Sequence, residues 1–181
     1  MEIDEAIKRC KNGDKEAWNM IVQSYSRKVY NLALNFIADR DEAFDITQEV
    51  FEKLYFNLTK FKEEHNFTSW LLTLSRNHCI DYWRKNKKHR LHEEIDDRIT
   101  NEQDSPEDIA VRESESENLR RKLLLIEPEM RIFLIMRDIQ GLSYEDIAKT
   151  CNVPLGTVKS RINRARLKLA SLTLGGKDEK T

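Results

Sequence analysis

From Gly141 to Leu169 the chain reads GLSYEDIAKTCNVPLGTVKSRINRARLKL, a stretch that admits two helices joined by a tight turn and little else. Ser143 can cap the first helix, and Asp146, three residues on, can bond back as in a capping box. Asn152 breaks the chain's direction. A second helix is predicted from near Pro154, whose fixed φ and missing N–H suit a first helical turn, although Gly156 lowers its propensity. At 100° per residue, Val158, Ile162, Ala165 and Leu169 share one side. Gly156, Ser160, Asn163 and Arg164 lie roughly opposite, flanked by Thr157 and Lys159. One side packs; the other suits a major groove, because Ser, Asn, Lys and Arg bond base edges and phosphates and glycine lets backbone approach closely. A plain amphipathic helix with a solvated basic face would share the pattern. The turn, caps and polar-face chemistry together favour a DNA-reading device.

The remainder is predicted to be all-α. With 181 residues, 39% hydrophobic content, 35% charge, five Gly and three Pro, the chain has room for one large or two small helical domains. No apolar run approaches the roughly 20 residues of a membrane span. The N-terminus MEIDEAIKRCKNGD has no signal-peptide core, so a cytoplasmic protein is expected. Net charge is only −1 but unevenly spread. Arg76 to Arg90 holds six Lys/Arg against Asp81 alone, whereas Glu93 to Glu117 holds eleven acids against Arg98 and Arg112. Cys10, Cys79 and Cys151 form no Cys-x-x-Cys pair, and His89 and His92 have no convincing thiol or carboxylate geometry beside them. Reduced structural thiols, no metal site and no cofactor are therefore expected.

In chain order, Ile3, Ala6, Ile7 and Cys10 stand at helical spacing, Asn12-Gly13 ends that helix, and Asp14 can cap the next. Trp18, Ile21, Val22, Tyr25, Val29, Leu32, Ala33 and Phe36 form a broad apolar stripe. After a turn at Asp39-Arg40-Asp41, a helix from Glu42 to Leu58 is expected to turn Phe44, Thr47, Phe51, Leu54, Tyr55 and Leu58 inward. Asp45, Gln48, Glu49 and Glu52 lie opposite, beside poorly covered Ile46 and Phe56. Acids beside exposed apolar groups suggest a protein-binding surface, although a plain solvated face has the same pattern.

A loop over Lys60 to Ser69 leads into WLLTLSRNHCIDYWRKNKKHR. Its packing side is expected to be Leu71, Leu72, Ser75, Cys79 and Tyr82. Trp70, Thr73, Asn77, Asp81 and Arg84 lie roughly opposite, and Lys85, Lys87, Lys88 and Arg90 follow. Aromatic, amide and cationic groups together suit single-stranded or melting DNA, though aromatics and arginines also mix in ordinary cores. Beyond His89 an acidic stretch without an apolar stripe reads as a flexible linker, with a short helix after Ser105-Pro106. About 25 residues of it would span about 80 to 90 Å extended, so two small domains could bind well-separated sites. Leu119, Leu123, Leu124 and Ile126 are then expected in one helix, and Ile132, Phe133, Ile135 and Met136 in another begun at Pro128. Together they form the core under the helix-turn-helix. The tail GGKDEKT is expected to fray.

These residues resemble, along nearly the whole chain and in order, the bacterial RNA polymerase sigma factors of the extracytoplasmic-function (ECF, group 4) type. DITQEVF at Asp45 to Phe51 is similar to the family's core-polymerase motif. FTSWLLTLSRNHCIDYWR at Phe67 to Arg84 is similar to its promoter-melting and -10 segment, and GLSYEDIAKTCNVPLGTVKSRINRAR to its -35 helix-turn-helix. The resemblance implies a region 2 domain over 1–90, an acidic linker over 91–117, a region 4 domain over 118–176 and a tail over 177–181. Asp45, Gln48, Glu49 and Glu52 would dock on the clamp helices of the polymerase's largest subunit, while the C-terminal domain meets the flap of the second-largest. Phe61, Phe67, Trp70, Thr73, Asn77, Arg84, Lys85 and Lys88 would serve the -10 element. Tyr144, Thr157, Lys159, Ser160, Asn163, Arg164 and Arg166 would serve the -35 element. Primary sigma factors wedge the duplex open with two adjacent Trp, whereas Trp70 is followed here by Leu71, which implies melting more dependent on promoter sequence. A stress or envelope-signal regulon and an anti-sigma partner are further implications.

A stand-alone helix-turn-helix regulator is the alternative, but it leaves the acidic Asp45 helix and the Trp70 helix poorly explained. An enzyme is not expected: no Gly-rich phosphate loop, nucleophile motif or metal cluster stands in the sequence, and no catalytic residue is assigned.

Overall fold

The computed structural model describes residues 3–62, 66–93 and 107–174, with side chains described outside 87–93 and 107–114. Its elements are α1 (Ile3–Lys11), α2 (Lys15–Ile37), α3 (Arg40–Asn57), a 3-10 turn (Leu58–Lys60), α4 (Phe67–Glu93), α5 (Glu107–Leu124), α6 (Pro128–Leu134), a π-helical turn (Ile135–Ile139), α7 (Tyr144–Cys151) and α8 (Leu155–Leu174). The described residues hold helices and no strand.

Local chemistry sets the helix ends. Asp14 Oδ1 accepts the N–H groups of Glu16 at 2.9 Å and Ala17 at 3.2 Å, which caps α2. The Ala17 N–H, then Arg9, hold the Asp14 carboxyl below its ordinary pKa. Asp39 caps α3 through the Glu42 N–H. Ala38 ends α2 in the left-handed region, at φ 62°.

The buried stripe of α3 is Ala43, Ile46, Thr47, Val50, Phe51 and Leu54, an i, i+3, i+4, i+7 series. This corrects the expected orientation: Phe44 is 56% and Tyr55 57% exposed, while Ile46 is fully buried. Bulk misled the assignment. The helix settles on the face whose small members, Ala43 and Val50, let it approach α2 and α4, and the larger rings are left at the edges. Phe56 is open as expected, at 69%.

In the C-terminal half, α5 runs unbroken from Glu107, so the short helix expected after Ser105-Pro106 and the helix of Leu119 are one element. The rest of the expected linker, residues 94–106, lies outside the described residues. Leu123 and Ile126 are buried, but Leu119 is exposed, a second correction. Pro128 opens α6 as expected, and Ile132, Phe133, Ile135 and Met136 are all buried. The buried residues of the two halves join in one cluster.

Candidate polymerase and promoter surfaces

On α3, Asp45, Gln48, Glu49 and Glu52 are all exposed. Their spacing continues by four residues to Phe56, so an acidic stripe ends in an open aromatic ring, with Phe44 and Tyr55 along its edge. Tyr55 stands edge-on to Trp18 at 5.1 Å and to Phe56 at 5.7 Å. Like charges three and four apart repel on a helix, so the stripe adds nothing to the helix that carries it. Glu49 lies close to a buried ring: its Oε2 is 2.9 Å from His78 Nε2, and His78 Nδ1 is 2.5 Å from Lys53 Nζ. Burial, then the Lys53 charge, pushes the His78 pKa below its ordinary value, so the ring is neutral at pH 7. His78 was missed by sequence reasoning, because the packing of α4 on α3, invisible in either helix alone, brings it to Glu49.

Around the start of α4 the rings of Tyr25, Phe61, Phe67 and Trp70 stack edge to face or tilted. Tyr25 to Phe67 is 5.2 Å, Phe61 to Phe67 5.3 Å and Phe61 to Trp70 5.2 Å. Asn66 caps α4 through the Ser69 N–H, and Lys11 Nζ donates to the Phe61 carbonyl at 2.9 Å. Phe61 and Phe67, expected to serve the -10 element directly, are only 3% and 4% exposed. They pack together instead, Phe67 also against Tyr25, because two rings in mutual contact bury more apolar area than they would in solvent. Trp70 is partly exposed, and Asn77, Arg84 and Lys85 are exposed. Lys88 belongs to α4, but its side chain lies outside the described residues.

Thr73 is the third correction on this face. It is 9% exposed, its hydroxyl donates to the Ser69 carbonyl at 2.9 Å, and Cys151 Sγ of α7 sits 3.9 Å from it. Helix α7 therefore covers it.

The helix-turn-helix follows the sequence closely. Gly141 at φ 76° turns the chain out of the π-helical turn, and Ser143 caps α7 through the Asp146 N–H at 2.9 Å. The Asp146 carboxylate accepts a hydrogen bond from the Ser143 hydroxyl at 2.7 Å, a variation on the expected box, in which it would bond the backbone. Asn152 ends α7 in the left-handed region, at φ 51°. Pro154 stands one residue before α8, and its carbonyl accepts from Thr157 and Val158. Val158, Ile162 and Ala165 are buried and Leu169 partly so, while Lys159, Ser160, Asn163 and Arg164 are exposed and Thr157 partly exposed.

Two of the expected -35 residues are engaged within the chain. Arg166 grips both Asp138 oxygens, Nε to Oδ2 at 2.9 Å, and donates to Tyr144 Oη at 3.2 Å. The bond to Asp138 raises its pKa further above the ordinary arginine value. The Arg137 guanidinium lies 4.7 Å from the Tyr144 ring centre. Tyr144 and Arg166 thus brace α7, α8 and the π-helical turn.

Residues 21–89 match the Sigma-70 region 2 family and residues 116–169 match Sigma-70 region 4. The ECF RNA polymerase sigma factor SigW of Bacillus subtilis is 33% identical, over 92% of this chain and 94% of its own. The chain belongs to the ECF sigma factors. As a sigma factor it binds core RNA polymerase and directs promoter-specific transcription initiation. A solved structure of CnrH in complex with the cytosolic domain of CnrY matches 96% of this chain and 99% of its own, with TM-score 0.73 and 19% identity. A second, of the sigma factor RpoE with the anti-sigma factor NepR from Bartonella quintana, matches 86% and 95%, with TM-score 0.63 and 23% identity. These two likenesses carry the fold. Region 2 with region 4 in one chain does not favour the stand-alone regulator. No described helix is long and apolar enough to cross a membrane.

Proposed function

We propose how this sigma factor divides its work among its surfaces. The stripe of Asp45, Gln48, Glu49 and Glu52, with Phe56, docks on the largest-subunit clamp helices. Trp70, Asn77, Arg84 and Lys85, over a floor of Phe61 and Phe67, face the -10 element as it opens, with Lys88 alongside. Lys159, Ser160, Asn163 and Arg164, flanked by Thr157, face the -35 element, and Tyr144 and Arg166 hold that helix at its docking angle. Region 2 occupies 1–90 and region 4 occupies 118–176, joined by 91–117, with region 4 also meeting the polymerase flap. The protein works in the cytoplasm, has no catalytic activity of its own, serves a stress or envelope-signal regulon and takes an anti-sigma partner.

The observation that carries this division is the chemistry of the exposed faces. One is acidic and aromatic; another joins amide, hydroxyl and cationic groups on the side of α8 turned away from Val158 and Ile162. Transcription in vitro with core polymerase on a promoter library tests it. Glu52→Lys is the cleaner probe of docking, since Glu49 also lies against His78. It should weaken capture of core while leaving stability within about 0.5 kcal/mol of wild type. Full core affinity in the folded variant would remove α3 from the docking surface.

A further inference from the structure

The neighbour of Asn77 decides which end of its amide is free. Trp70, Asn77 and Arg84 stand seven residues apart on α4, so each lies within about 20° of the one before it, two turns further along the helix. Trp70 is partly exposed, and Asn77 and Arg84 are exposed. Arg76 stands about 100° round the helix from Asn77, and side chains one position apart do not ordinarily meet. Here they do: Arg76 Nη1 donates to Asn77 Oδ1 at 2.6 Å. The same guanidinium lies 5.1 Å from the Phe133 ring centre, and its Nε is buried with no hydrogen-bond partner among the described residues.

This bond fixes the direction of the amide. A guanidinium carries N–H donors and no acceptor, so only the carbonyl end of Asn77 can face it; the reversed amide would set N–H against N–H. A charged donor also makes the bond stronger than one between neutral groups. Among the described residues no group takes the hydrogens of Asn77 Nδ2. The free end of the amide is therefore its donor end. The charge on the carbonyl polarises the amide as well, which strengthens those N–H groups as donors. Both partners belong to α4, so the pair moves with that helix.

An asparagine with both ends free pairs best with adenine, because its carbonyl accepts from the adenine N6 amine while its amide donates to N7. The other edge of an unpaired adenine, N1 beside N6, has the same mixed pattern. With the carbonyl held by Arg76, that two-bond pairing is lost. Guanine presents two adjacent acceptors, O6 and N7, and unpaired cytosine presents O2 and N3. Thymine, whose O2 and O4 flank a donor, stands between. We propose that Arg76 is a positioning residue that sets specificity: by holding the Asn77 carbonyl it leaves a donor-only reader, which selects guanine or cytosine and rejects adenine at the base that Asn77 meets. This rests on the assignment of Asn77 to the -10 element. Arg76 acts through Asn77 and makes no base contact of its own.

Open-complex formation by holoenzyme on a promoter library randomised through the -10 element supplies the test. Wild type should disfavour adenine about tenfold against guanine or cytosine at one position. Arg76→Met keeps an apolar stem beside Phe133 but removes the donor, so adenine should recover to within about twofold at that position while the others stay as they were. Arg76→Lys keeps a charged donor and should bring the rejection back. In an Asn77→Ala chain the position should lose its preference, and adding Arg76→Met should then change nothing further. The proposal is overturned if wild type rejects adenine at no position, if Arg76→Met leaves the rejection intact, or if Arg76→Lys does no better than Arg76→Met. It is overturned too if Arg76→Met acts equally with and without Asn77. A loss across all sequences, with a salt slope smaller by about one, would make Arg76 a phosphate contact instead. If Asn77→Ala keeps the wild-type preference, the assignment of Asn77 itself falls; if it flattens the preference and Arg76→Met does not, only the role of Arg76 falls.

Discussion

Helices α4 and α8 carry the two promoter-facing surfaces, and they differ in how many sides are packed. Helix α8 rests on α5, α6 and α7 along one stripe, so the side opposite Val158 and Ile162 stays open. Helix α4 is gripped by α2 and α3 and then, from the other direction, by α6 and α7, so burial passes around it. A polar residue opposite the apolar stripe of α8 is a surface residue. On α4 the same periodic position can be an interface residue, as Thr73 is. Helical period predicts exposure only for an element packed from one side.

The largest effect expected on this contrast comes from the residue both helices share. Phe133 is fully buried and faces Arg76 of α4 and Arg161 of α8. Phe133→Ala should cost about 3 to 5 kcal/mol in denaturant unfolding. A cost below about 1 kcal/mol would mean the ring is not part of a packed junction.

Next comes a matched pair, one residue from each promoter face. Arg164→Ala on α8 should cost about 1 to 3 kcal/mol of -35 binding and relax preference at one or two positions, with stability within about 0.5 kcal/mol. Thr73→Ala on α4 should instead lower stability by about 1 kcal/mol, since it removes a hydroxyl bonded to Ser69 and a contact with Cys151. Holoenzyme binding to a -35 library at two salt concentrations, paired with unfolding curves, reads both. A uniform affinity loss for Arg164→Ala, with a salt slope lower by about one, would make it a phosphate contact. A Thr73→Ala chain of unchanged stability would break the contrast between the helices.

The smallest effect is a pH dependence on the buried side of α4. His78 has a folded pKa below its ordinary 6.5, mainly from burial and then from Lys53. Below that ordinary value the unfolded chain binds the proton and the folded chain resists it. Stability is then complete above about pH 6.5 and declines as pH falls toward the folded pKa. His78→Gln should flatten the part of the unfolding-versus-pH curve just below pH 6.5. An unchanged slope would place the titration elsewhere.

The sequence by itself determined the helical class, the caps at Asp14 and Ser143, the turn at Asn152 and the inner and outer sides of α8. Each depends on residues within a few positions of one another, where backbone N–H groups, side-chain oxygens and a 100° step leave few choices. The acidic stripe of α3 was legible for the same reason, and so was the family, through short motifs in order. Tertiary structure alone decided that Ile46 is buried and Phe44 exposed, that Phe61 and Phe67 are buried, and that Arg166 pairs with Asp138. It also decided that His78 meets Glu49, that Arg131 is sealed against Phe36 and that Thr73 lies under α7. Those outcomes depend on which second helix arrives and from which side, and close packing between helices is settled by complementary shape at a distance in sequence, which no local period encodes.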